Sequence, residues 1–468
     1  MRLLVITIAP LFPDHVQGGS QRVLMQLLPE LGKRCSEVRV LCSRAQGKGL
    51  RFKVADNVEV RAELPLRGAF PSPFEVAPHP LAVVWREIDE SATWADRVYL
   101  HGDGMFLRGA LADRRVVRSL HDFIYEEALV SAFQFPARRT IVPSQYVKEC
   151  LEATVGAVRH LEPVTLIRNG IDVPSKRPPP QLPKGLRPRA ANDRILLFPH
   201  RLDPRKGLRE AMLTVQRLKQ LAPGINFRLL IPVPGAEQRA DDEAGAAAVL
   251  RAARELGVGP NVETHTWLNT DEMPGYYAAG DATLCLGSIV EAMPLAPLES
   301  VATGTPAVCS RTGPWRELSR IPLITHVPYG DTNAAADTAL RAMATDAAER
   351  EAGRSVLARE FSTERMVGEY MDAVLGDLPP PPPTGLRQPV GRSTAYRLAP
   401  WCHIDGGEVF SHHNAKKTGL PANLMSLLRE HGDRTVEARL IHATGLDDRG
   451  ISAMVEDGLL VPGFTGVA

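Results

Sequence analysis

Apolar residues alternate between two patterns over the first 174 residues. Short apolar runs bounded by charged or turn-forming residues are typical of buried strands. After the first run, Val23, Leu24, Leu27 and Leu28 recur at helical spacing, and Ser20 stands where a helix N-cap is expected. Strands that alternate with helices favour βαβ units and a parallel sheet. The predicted strands of this series are 1–10, 38–42, 97–100, 115–120 and 139–142.

A second series of the same kind begins near residue 194 and ends near a helix-like stretch at 363–374. Its predicted strands are 195–198, 227–231, 262–265, 282–286 and 306–309. Between the two series, residues 174–188 are too rich in proline for a regular helix or an inner strand, which predicts a linker. The basic residues of this linker could steer an anion, but charged runs usually face solvent, so a solvated connector is the favoured interpretation.

A run of five prolines at 379–383 predicts a stiff spacer of about 3 Å per residue, so the residues beyond it form an appended module. The interpretation is a Pro-rich linker at 378–394 and a small α+β domain at 395–468. The pattern predicts a strand–turn–strand at 402–410, short helices at 421–429, 435–442 and 448–456, and a last strand at 458–461.

Composition narrows the class of protein. A chain of 468 residues with 44% hydrophobic content can form about three domains with buried cores. The net charge of +1 gives no indication of nucleic-acid binding, and no apolar run approaches the roughly 20 residues of a membrane span. The first ten residues resemble a weak signal peptide but lack its cleavage site, which favours a buried strand. The six cysteines include no C-x-x-C pair, so buried free thiols and a cytoplasmic location are expected.

The segment 288–306 carries the first candidate chemistry. Pro297 suits a first helical turn and Gly304 suits the residue after a helix end, which predicts a helix over 297–303. Glu291 and Glu299 lie on either side of the helix start, where they could accept hydrogen bonds from sugar and ribose hydroxyls. The N–H groups of this turn would favour a phosphate, because they lie at the positive end of the helix. The residues that form the turn are Met293, Pro294, Leu295 and Ala296.

A second turn, at 198–207, follows another predicted strand. Asp203 is a good N-cap and Pro204 a good first residue, so we expect a helix that has Lys206 in its first turn. A cation there opposes the helix dipole. An anion shared by Lys206, Arg201 and the helix start would remove that conflict, as a diphosphate could; a solvated basic cluster is the alternative.

These two turns resemble those of the retaining GT-B glycosyltransferases of family 4. Glu291 and Glu299 look like the paired glutamates of that family, and Arg201 with Lys206 like its basic pair. The resemblance covers roughly residues 1 to 375. It extends to Gly18–Gly19, to Ser-Leu-His-Asp at 119–122, Pro-Ser at 143–144, Ile-Arg-Asn-Gly-Ile-Asp at 167–172 and Gly-Pro-Trp-Arg-Glu at 313–317.

The resemblance implies an α/β protein with two Rossmann-like domains that face each other across a cleft. The acceptor domain would comprise residues 1–174, and the nucleotide-sugar domain residues 193–360. The final helix, about 361–377, would pack back on the first domain. Closure of the domains would exclude water from the activated sugar.

The resemblance also implies roles for single residues. Glu299 would bind the ribose, Arg201 and Lys206 the donor diphosphate, and Glu291 the transferred sugar. His121 would face the sugar near the reaction centre, and Gly18 and Gly19 would let the first loop approach the diphosphate. Two departures stand out: Ser20-Gln21-Arg22 replaces a common glutamate, which leaves an acceptor contact open, and Pro294 replaces a common glycine. UDP- or GDP-sugars are the expected donors, with no cofactor and no metal.

The C-terminal module resembles the winged-helix peptide-binding domains related to the pyrroloquinoline quinone chaperone (PqqD-like). The matching segments are 427–436 and 454–460. The resemblance implies that a peptide adds a strand to a sheet edge. A dimerisation domain and a helix-turn-helix are the alternatives. His412 and His413 are expected on the surface rather than at a metal.

The leading hypothesis is therefore a retaining hexosyltransferase that uses a nucleoside diphosphate sugar, with a peptide bound by residues 395–468 as one candidate acceptor. Two alternatives stay open. One is a GT-B nucleotide-sugar epimerase or phosphorylase. The other is an inactive peptide- or partner-binding protein on a GT-B scaffold. Neither nucleic acid nor integral membrane association is expected.

Overall fold

A computed structural model describes most of the chain, which divides into two compact units. The first unit comprises Met1–Asn169, Glu291–Met293 and Glu364–Ala468, and the second comprises Gly170–Val290 and Pro294–Thr363. For residues 108, 109, 126–128, 134 and 242–244 the description is limited to the backbone. The described residues are 1–14, 16, 18–44, 49–66, 77–102, 108–111, 114–121, 126–134, 136–233, 242–383, 385 and 394–463.

The first unit contains a sheet that has eight strands in the part of the chain described. The strands run in the order β3-β4-β2-β1-β5-β6-β7-β8, and all neighbours are parallel except the β3–β4 hairpin. The strands are β1 (Arg2–Ile6), β2 (Glu37–Ser43), β3 (Leu50–Ala55), β4 (Val58–Leu64), β5 (Arg97–His101), β6 (Val116–Ser119), β7 (Arg139–Val142) and β8 (Val164–Leu166). The helices are α1 (Gly19–Arg34), α2 (Pro78–Trp94), α3 (Arg108–Leu111), α4 (Glu126–Gln134) and α5 (Gln145–Val158).

The predicted cap of α1 is wrong. The helix begins at Gly19 after an extended Gly18, and no side chain caps it. Ser20 lies inside the first turn, where its Oγ is 3.2 Å from Nε2 of His101. The apolar spacing was informative, because Val23, Leu24, Leu27 and Leu28 are all buried against the sheet.

The second unit contains a sheet whose six strands, counted among the described residues, are all parallel in the order β11-β10-β9-β12-β13-β14. The strands are β9 (Asp193–Leu197), β10 (Asn226–Val233), β11 (Val262–Thr266), β12 (Ala282–Cys285), β13 (Ala307–Ser310) and β14 (Ile324–Val327). The helices are α6 (Leu208–Leu221), α7 (Asp242–Glu255), α8 (Met273–Ala279), α9 (Ala296–Ala302), α10 (Thr332–Met343) and α11 (Ala347–Glu360). Short 3-10 helices span Pro204–Lys206, Gly259–Asn261 and Gly313–Arg320.

The proline-rich linker packs on the second unit. It forms no helix or strand, as the proline content predicts. Hydrogen bonds and an ion pair nevertheless hold it against the rest of the unit. The N–H of Gln181 donates to the carbonyl of Gly275, and Arg187 pairs with the buried Asp193 at 2.8 Å. The interpretation as a solvated connector is therefore incomplete, because Arg187 satisfies a buried carboxylate.

Helix α12 (Thr363–Leu375) contributes to the core of the first unit. Met366, Tyr370, Met371 and Val374 are buried in the same cluster as α1 and the first sheet. The guanidinium of Arg97 also donates to the carbonyls of Val374, at 2.6 Å, and Gly376, at 2.8 Å. Apolar packing and these two charged hydrogen bonds hold the helix on the sheet.

The C-terminal residues form two small antiparallel sheets with three short helices among the residues described there. One sheet has the order β19-β15-β20 and the other β16-β17-β18. The elements are β15 (Ala395–Leu398), β16 (Cys402–Asp405), β17 (Glu408–Ser411), β18 (Lys416–Gly419), α13 (Ala422–His431), β19 (Val436–Glu437), α14 (Ala438–His442), α15 (Asp448–Glu456) and β20 (Leu460–Pro462). The predicted helix at 435–442 is partly wrong, since its first residues form β19.

This module rests on helix α5. Ala153 of α5 belongs to the apolar core of the module, and the Tyr146 ring of α5 lies 5.6 Å from the His412 ring. His412 is buried and lies 2.7 Å from His403, so its predicted surface position is wrong; the hairpin β16–β17 turns it inward. A cavity of about 370 Å³ lies between α5 and the sheet β19-β15-β20.

Candidate functional site

The second sheet reverses its strand order between β9 and β12. From β9 the chain builds outward through β10 and β11, and then returns to the other side of β9 with β12, β13 and β14. In open α/β sheets, ligands bind outside the carboxyl ends of the strands at such a reversal. Both candidate turns of the second unit begin here, because one follows β9 and the other follows β12.

The turn after β9 is a short 3-10 helix rather than the start of an α-helix. Asp203 caps it by accepting the N–H of Arg205 at 2.9 Å, and the Arg205 guanidinium bonds the same carboxylate. Those hydrogen bonds lower the pKa of Asp203. Gly207 has a φ of +86° and ends the turn, so α6 begins only at Leu208. The predicted cap at Asp203 and start at Pro204 are therefore confirmed, but the helix that contains Lys206 is this 3-10 helix and not α6.

Two glycines let the turn after β9 meet the loop after β12. A β-carbon at Gly207 would lie 2.6 Å from the backbone nitrogen of Gly287, and one at Gly287 would lie 2.9 Å from the Cα of Lys206. The N–H groups of Ser288 and Ile289 both donate to the carbonyl of Arg205, at 2.8 and 3.1 Å. Backbone contact thus fixes the turn that carries Lys206 against the loop that leads to Glu291.

The loop after β12 leads into α9, which runs over Ala296–Ala302 and so confirms the predicted short helix. Pro297 is in its first turn, and Gly304 follows it with a φ of +78°. Pro294 is buried, whereas Leu295 and Ala296 at the helix start are half-buried. Residues 291–293 group with the first unit, where the sulfur of Met293 accepts the N–H of Asn169 at 3.3 Å.

Glu299 is held by a buried tyrosine. The Tyr277 hydroxyl donates to Oε2 of Glu299 at 3.0 Å, and burial raises the pKa of Tyr277 well above its ordinary value. The phenol is therefore a neutral donor at every physiological pH. Glu299 itself is half-buried in the first turn of α9, as is Glu291 in the preceding loop. Lys206 is half-buried and Arg201 is exposed.

The first sheet reverses its strand order in the same way, between β1 and β5. The Gly18–Gly19 turn follows β1, His101 ends β5, and His121 lies two residues after β6. His121 is 7% exposed, and its ring is 4.3 Å from that of His101. Asp122, the last residue of the 119–122 motif, lies outside the described residues.

A chain of hydrogen bonds joins these positions. It runs from His121 through Ser119, Tyr99 and His101 to the backbone of Ser20, with atom separations of 3.1, 3.0, 2.7 and 2.9 Å in that order. Burial lowers the pKa of His101 to about 4. Burial and the neighbouring His101 lower the pKa of His121 well below its ordinary value, so both rings are neutral near pH 7. Sequence reasoning missed Tyr99, His101 and Tyr277, because such contacts join distant segments.

The described residues contain neither a membrane-spanning helix nor a cluster of metal ligands. Within the described helices, none has the length and apolar composition that crossing a bilayer requires. Over the same described residues, no three His, Cys, Asp or Glu side chains converge in a way that could hold a metal ion.

Two family profiles match successive parts of the chain. Residues 17–174 match "Glycosyltransferase Family 4", and residues 187–341 match "Glycosyl transferases group 1". No curated protein matches the chain.

Solved structures with the same fold cover about four fifths of the chain. A sucrose-phosphate synthase from Thermosynechococcus elongatus aligns with a TM-score of 0.61 and 18% identity over 79% of this chain and 97% of its own. The HepE protein of Anabaena, solved with UDP and glucose, aligns with a TM-score of 0.58 and 17% identity over 81% of this chain and 100% of its own. A structure described as trehalose-6-phosphate from Escherichia coli bound with UDP-2-fluoro glucose aligns with a TM-score of 0.59 and 14% identity, over 81% of this chain and 100% of its own. At these identities the likeness establishes the fold.

Proposed function

We propose that this chain, a glycosyltransferase of the GT-B fold, transfers a hexose from a nucleoside diphosphate sugar to an acceptor with retention at the anomeric carbon. The observation that carries the proposal is the meeting of two loops at the strand-order reversal of the second sheet. One loop supplies Lys206, and the other leads to Glu291 and Glu299. A cation and hydrogen-bond acceptors at one sheet edge suit a diphosphate that is linked to hydroxyl-bearing rings.

In the proposed complex, Glu299 accepts hydrogen bonds from the ribose, and Tyr277 keeps its carboxylate oriented. Lys206 and Arg201 bind the diphosphate, and the first N–H groups of α9 are available to the same anion. Glu291 binds the transferred hexose. A donor with uridine or guanosine as its base fits the proposal, and the structural relatives solved with UDP and UDP-glucose favour uridine as the first to test.

The chemical step releases a nucleoside diphosphate, so negative charge grows on the leaving group. Fixed cations near that charge lower the barrier more than they stabilise the ground state. We assign this role to Arg201 and Lys206, without a metal ion. The Gly18–Gly19 turn gives close backbone access to a phosphate, since neither residue carries a β-carbon. His121 faces the sugar in this proposal.

For the acceptor, we propose a peptide or a peptide-borne group that the C-terminal module recruits. In the described residues β19 and β20 are the outer strands of their sheet, which supports strand addition by a peptide. A cytoplasmic location is part of the proposal, supported by six buried cysteines, none of which is in a disulfide.

The first experiment is a thermal-shift panel of UDP, GDP, ADP and their glucose conjugates. A ligand that binds the folded state raises its apparent stability by about 2.7 kcal/mol at 100 times its Kd. We expect one nucleotide to raise the melting temperature, and its sugar conjugate to raise it further. If no nucleotide changes the melting temperature, the proposed donor is wrong.

The second experiment measures turnover in Lys206→Ala. Removal of one charge that stabilises a transition state costs about 100-fold or more in kcat. Lys219→Ala, at the far end of α6, is the control and should keep full turnover. Near-normal turnover in Lys206→Ala would reject the assignment. Incubation with donor alone separates an epimerase, which converts the donor without an acceptor.

The peptide acceptor is tested by deletion of residues 384–468. Loss of transfer to a peptide-borne acceptor, with donor binding retained, would support recruitment by the module. Unchanged transfer to that acceptor would reject it. Donor binding is the control, because the deletion also uncovers the surface of α5.

A further inference from the structure

In the hydrogen-bond chain of the first unit, the types of atom at each contact determine which group donates and which accepts. At one end, Nε2 of His101 lies 2.9 Å from the carbonyl oxygen of Ser20, and a carbonyl can only accept. His101 is neutral, so a proton on Nε2 leaves Nδ1 without one. Nδ1 therefore accepts, and the Tyr99 hydroxyl at 2.7 Å is its nearer donor, since the Ser119 hydroxyl lies 3.4 Å away.

The directions of the next two hydrogen bonds, Tyr99–Ser119 and Ser119–His121, follow in the same way. Tyr99 has a single hydroxyl proton, which is committed to His101, so the 3.0 Å contact with Ser119 requires the serine to donate. Ser119 then has no proton left for His121. The 3.1 Å contact between Ser119 Oγ and His121 Nε2 is satisfied only if His121 carries its proton on Nε2.

His121 consequently offers a bare nitrogen at its other position. The ring is neutral, and Nδ1 is buried with no hydrogen-bond partner among the described residues. A buried acceptor without a partner costs about 1 to 3 kcal/mol, and a ligand that donates to it recovers that energy. His121 lies after β6, which pairs with β5 beside the strand-order reversal of the sheet.

We propose that Ser119, Tyr99 and His101 are positioning residues that hold His121 in the tautomer with its proton on Nε2, so that Nδ1 accepts a hydrogen bond from a hydroxyl of the sugar substrate. This inference rests on the proposed function for the identity of the ligand. The tautomer itself follows from the protein alone. A hydroxyl can donate to a bare nitrogen, whereas an ionised carboxylate or phosphate oxygen cannot, so the arrangement suits the hydroxyl-bearing part of the donor rather than its diphosphate.

The tautomer is tested by NMR on the full chain labelled with 15N-histidine near neutral pH, without ligand. Long-range 1H–15N correlations report which ring nitrogen carries the proton. His121→Gln and His101→Gln assign the signals among the 13 histidines. We expect the Nε2–H form for both rings. A proton on Nδ1 of His121, or a doubly protonated ring, would overturn the proposal.

The positioning role is tested with Ser119→Ala and Tyr99→Phe. Both changes keep the carbon framework and remove one hydroxyl from the chain, so the His121 signals should shift to a mixture of tautomers. Ser91→Ala is the matched control: it removes a hydroxyl that is also buried in the first unit but accepts a hydrogen bond from Arg39, outside the His121 chain. Unchanged His121 signals in Ser119→Ala would overturn the positioning role.

The ligand half of the inference is tested by titration with UDP and UDP-glucose. UDP-glucose should shift the His121 Nδ1 signal, and UDP should not. Ser119→Ala should weaken UDP-glucose by about 3- to 10-fold and leave UDP unchanged. Bound UDP-glucose that leaves the Nδ1 signal in place would overturn the sugar contact. If neither probe binds, the proposed function and the sugar contact both fail, while the tautomer is still decided by the spectrum of the free protein.

Discussion

At the residue scale, Glu299 shows how a buried tyrosine can orient a half-buried carboxylate. The Tyr277 hydroxyl donates one hydrogen bond to Oε2 and brings no charge with it. The neighbouring Tyr276 is equally buried, but its hydroxyl has no partner among the described residues. These two tyrosines therefore form a matched pair for mutation.

We expect Tyr277→Phe to weaken the binding of UDP by about 5-fold, which corresponds to the loss of one hydrogen bond of about 1 kcal/mol that orients the carboxylate. Tyr276→Phe should leave the affinity unchanged. Isothermal titration calorimetry on both variants checks the prediction. Equal effects of the two substitutions would show that Tyr277 acts through packing alone.

Asp193, at the start of β9, is a second residue whose charge the protein controls. Burial raises its pKa, but hydrogen bonds from Arg187, the Ala190 N–H, Asn226 and Arg228 outweigh that effect and lower the pKa overall. Since the folded pKa lies below the unfolded value of about 3.9, the carboxylate stabilises the fold above that pH. The contribution is lost as the pH falls through the folded pKa.

Asp193→Asn should therefore lower the free energy of unfolding by about 2 kcal/mol near neutral pH, because it removes one of the two carboxylates that pair with the buried Arg228, and only Glu263 remains. The difference from wild type should shrink as the pH falls below about 4. Urea unfolding at a series of pH values measures both effects. Asp271→Asn, an exposed change in the same unit, is the control. A difference that stays constant with pH would contradict the prediction.

At the scale of elements, the contact between Gly207 and Gly287 has the clearest consequence. Gly207 needs both a left-handed backbone and the absence of a β-carbon. Gly185 has nearly the same φ, +85° against +86°, but nothing lies within 4 Å of its β-carbon position. Substitutions at these two glycines therefore distinguish the cost of backbone strain from the cost of steric overlap.

Gly185→Ala should cost about 1 kcal/mol of stability through its positive φ. Gly207→Ala should cost about 2 kcal/mol more, because the new methyl group overlaps the backbone of residues 286–287. It should also reduce glycosyl transfer by at least about 10-fold, since the overlap displaces Lys206 from the Glu291 loop. Chemical denaturation and initial rates check the two parts. Equal stability losses in the two variants would contradict it.

The elements that the sequence predicts well are those whose apolar residues are buried. Strand β9 and helices α12 and α15 lie close to their predicted ranges, because each has a continuous apolar run or an apolar face. Strand β18 was missed because its sequence, Lys-Lys-Thr-Gly, has no apolar residue. Strand β3 was missed although Leu50, Phe52 and Val54 alternate with Arg51 and Lys53, a pattern typical of a strand.

In the candidate site, too, only the parts whose structure is determined by neighbouring residues in the sequence could be predicted. Residues 296–302 and 204–206 are governed by local prolines and glycines, so a turn and a short helix could be predicted there. The split between the 3-10 turn and α6 depends on a glycine that packs against a segment 80 residues away, which no local spacing reveals. The partners of Glu299 and His121 are missed for the same reason.

At the scale of the whole molecule, the two units repeat one arrangement. Each has a sheet of mainly parallel strands that reverses its strand order, and each carries candidate ligand groups on the loops that follow the strands at or next to the reversal. The C-terminal module belongs to the first unit, where Ala153 of α5 completes its apolar core. Ala153, together with the ring contact between Tyr146 and His412, therefore links the module to α5.

Ala153→Glu should weaken this contact, because a charge in an apolar core costs several kcal/mol. We expect faster hydrogen exchange in β15 and β20, with little change in the strands of the second sheet. Val158→Glu places the same charge at an exposed position of the same helix and is the control. Unchanged exchange in the module of the Ala153→Glu variant would show that the α5 contact does not stabilise it.

The backbone contact between residues 203–207 and 286–289 also limits how this protein can be redesigned. Exchange of only one of these loops for that of a relative would place a foreign backbone against Gly207 or Gly287, where there is no room for a side chain. Both loops must be transplanted together, as one cassette. Libraries that aim to change donor preference should therefore vary the two segments jointly and keep both glycines fixed.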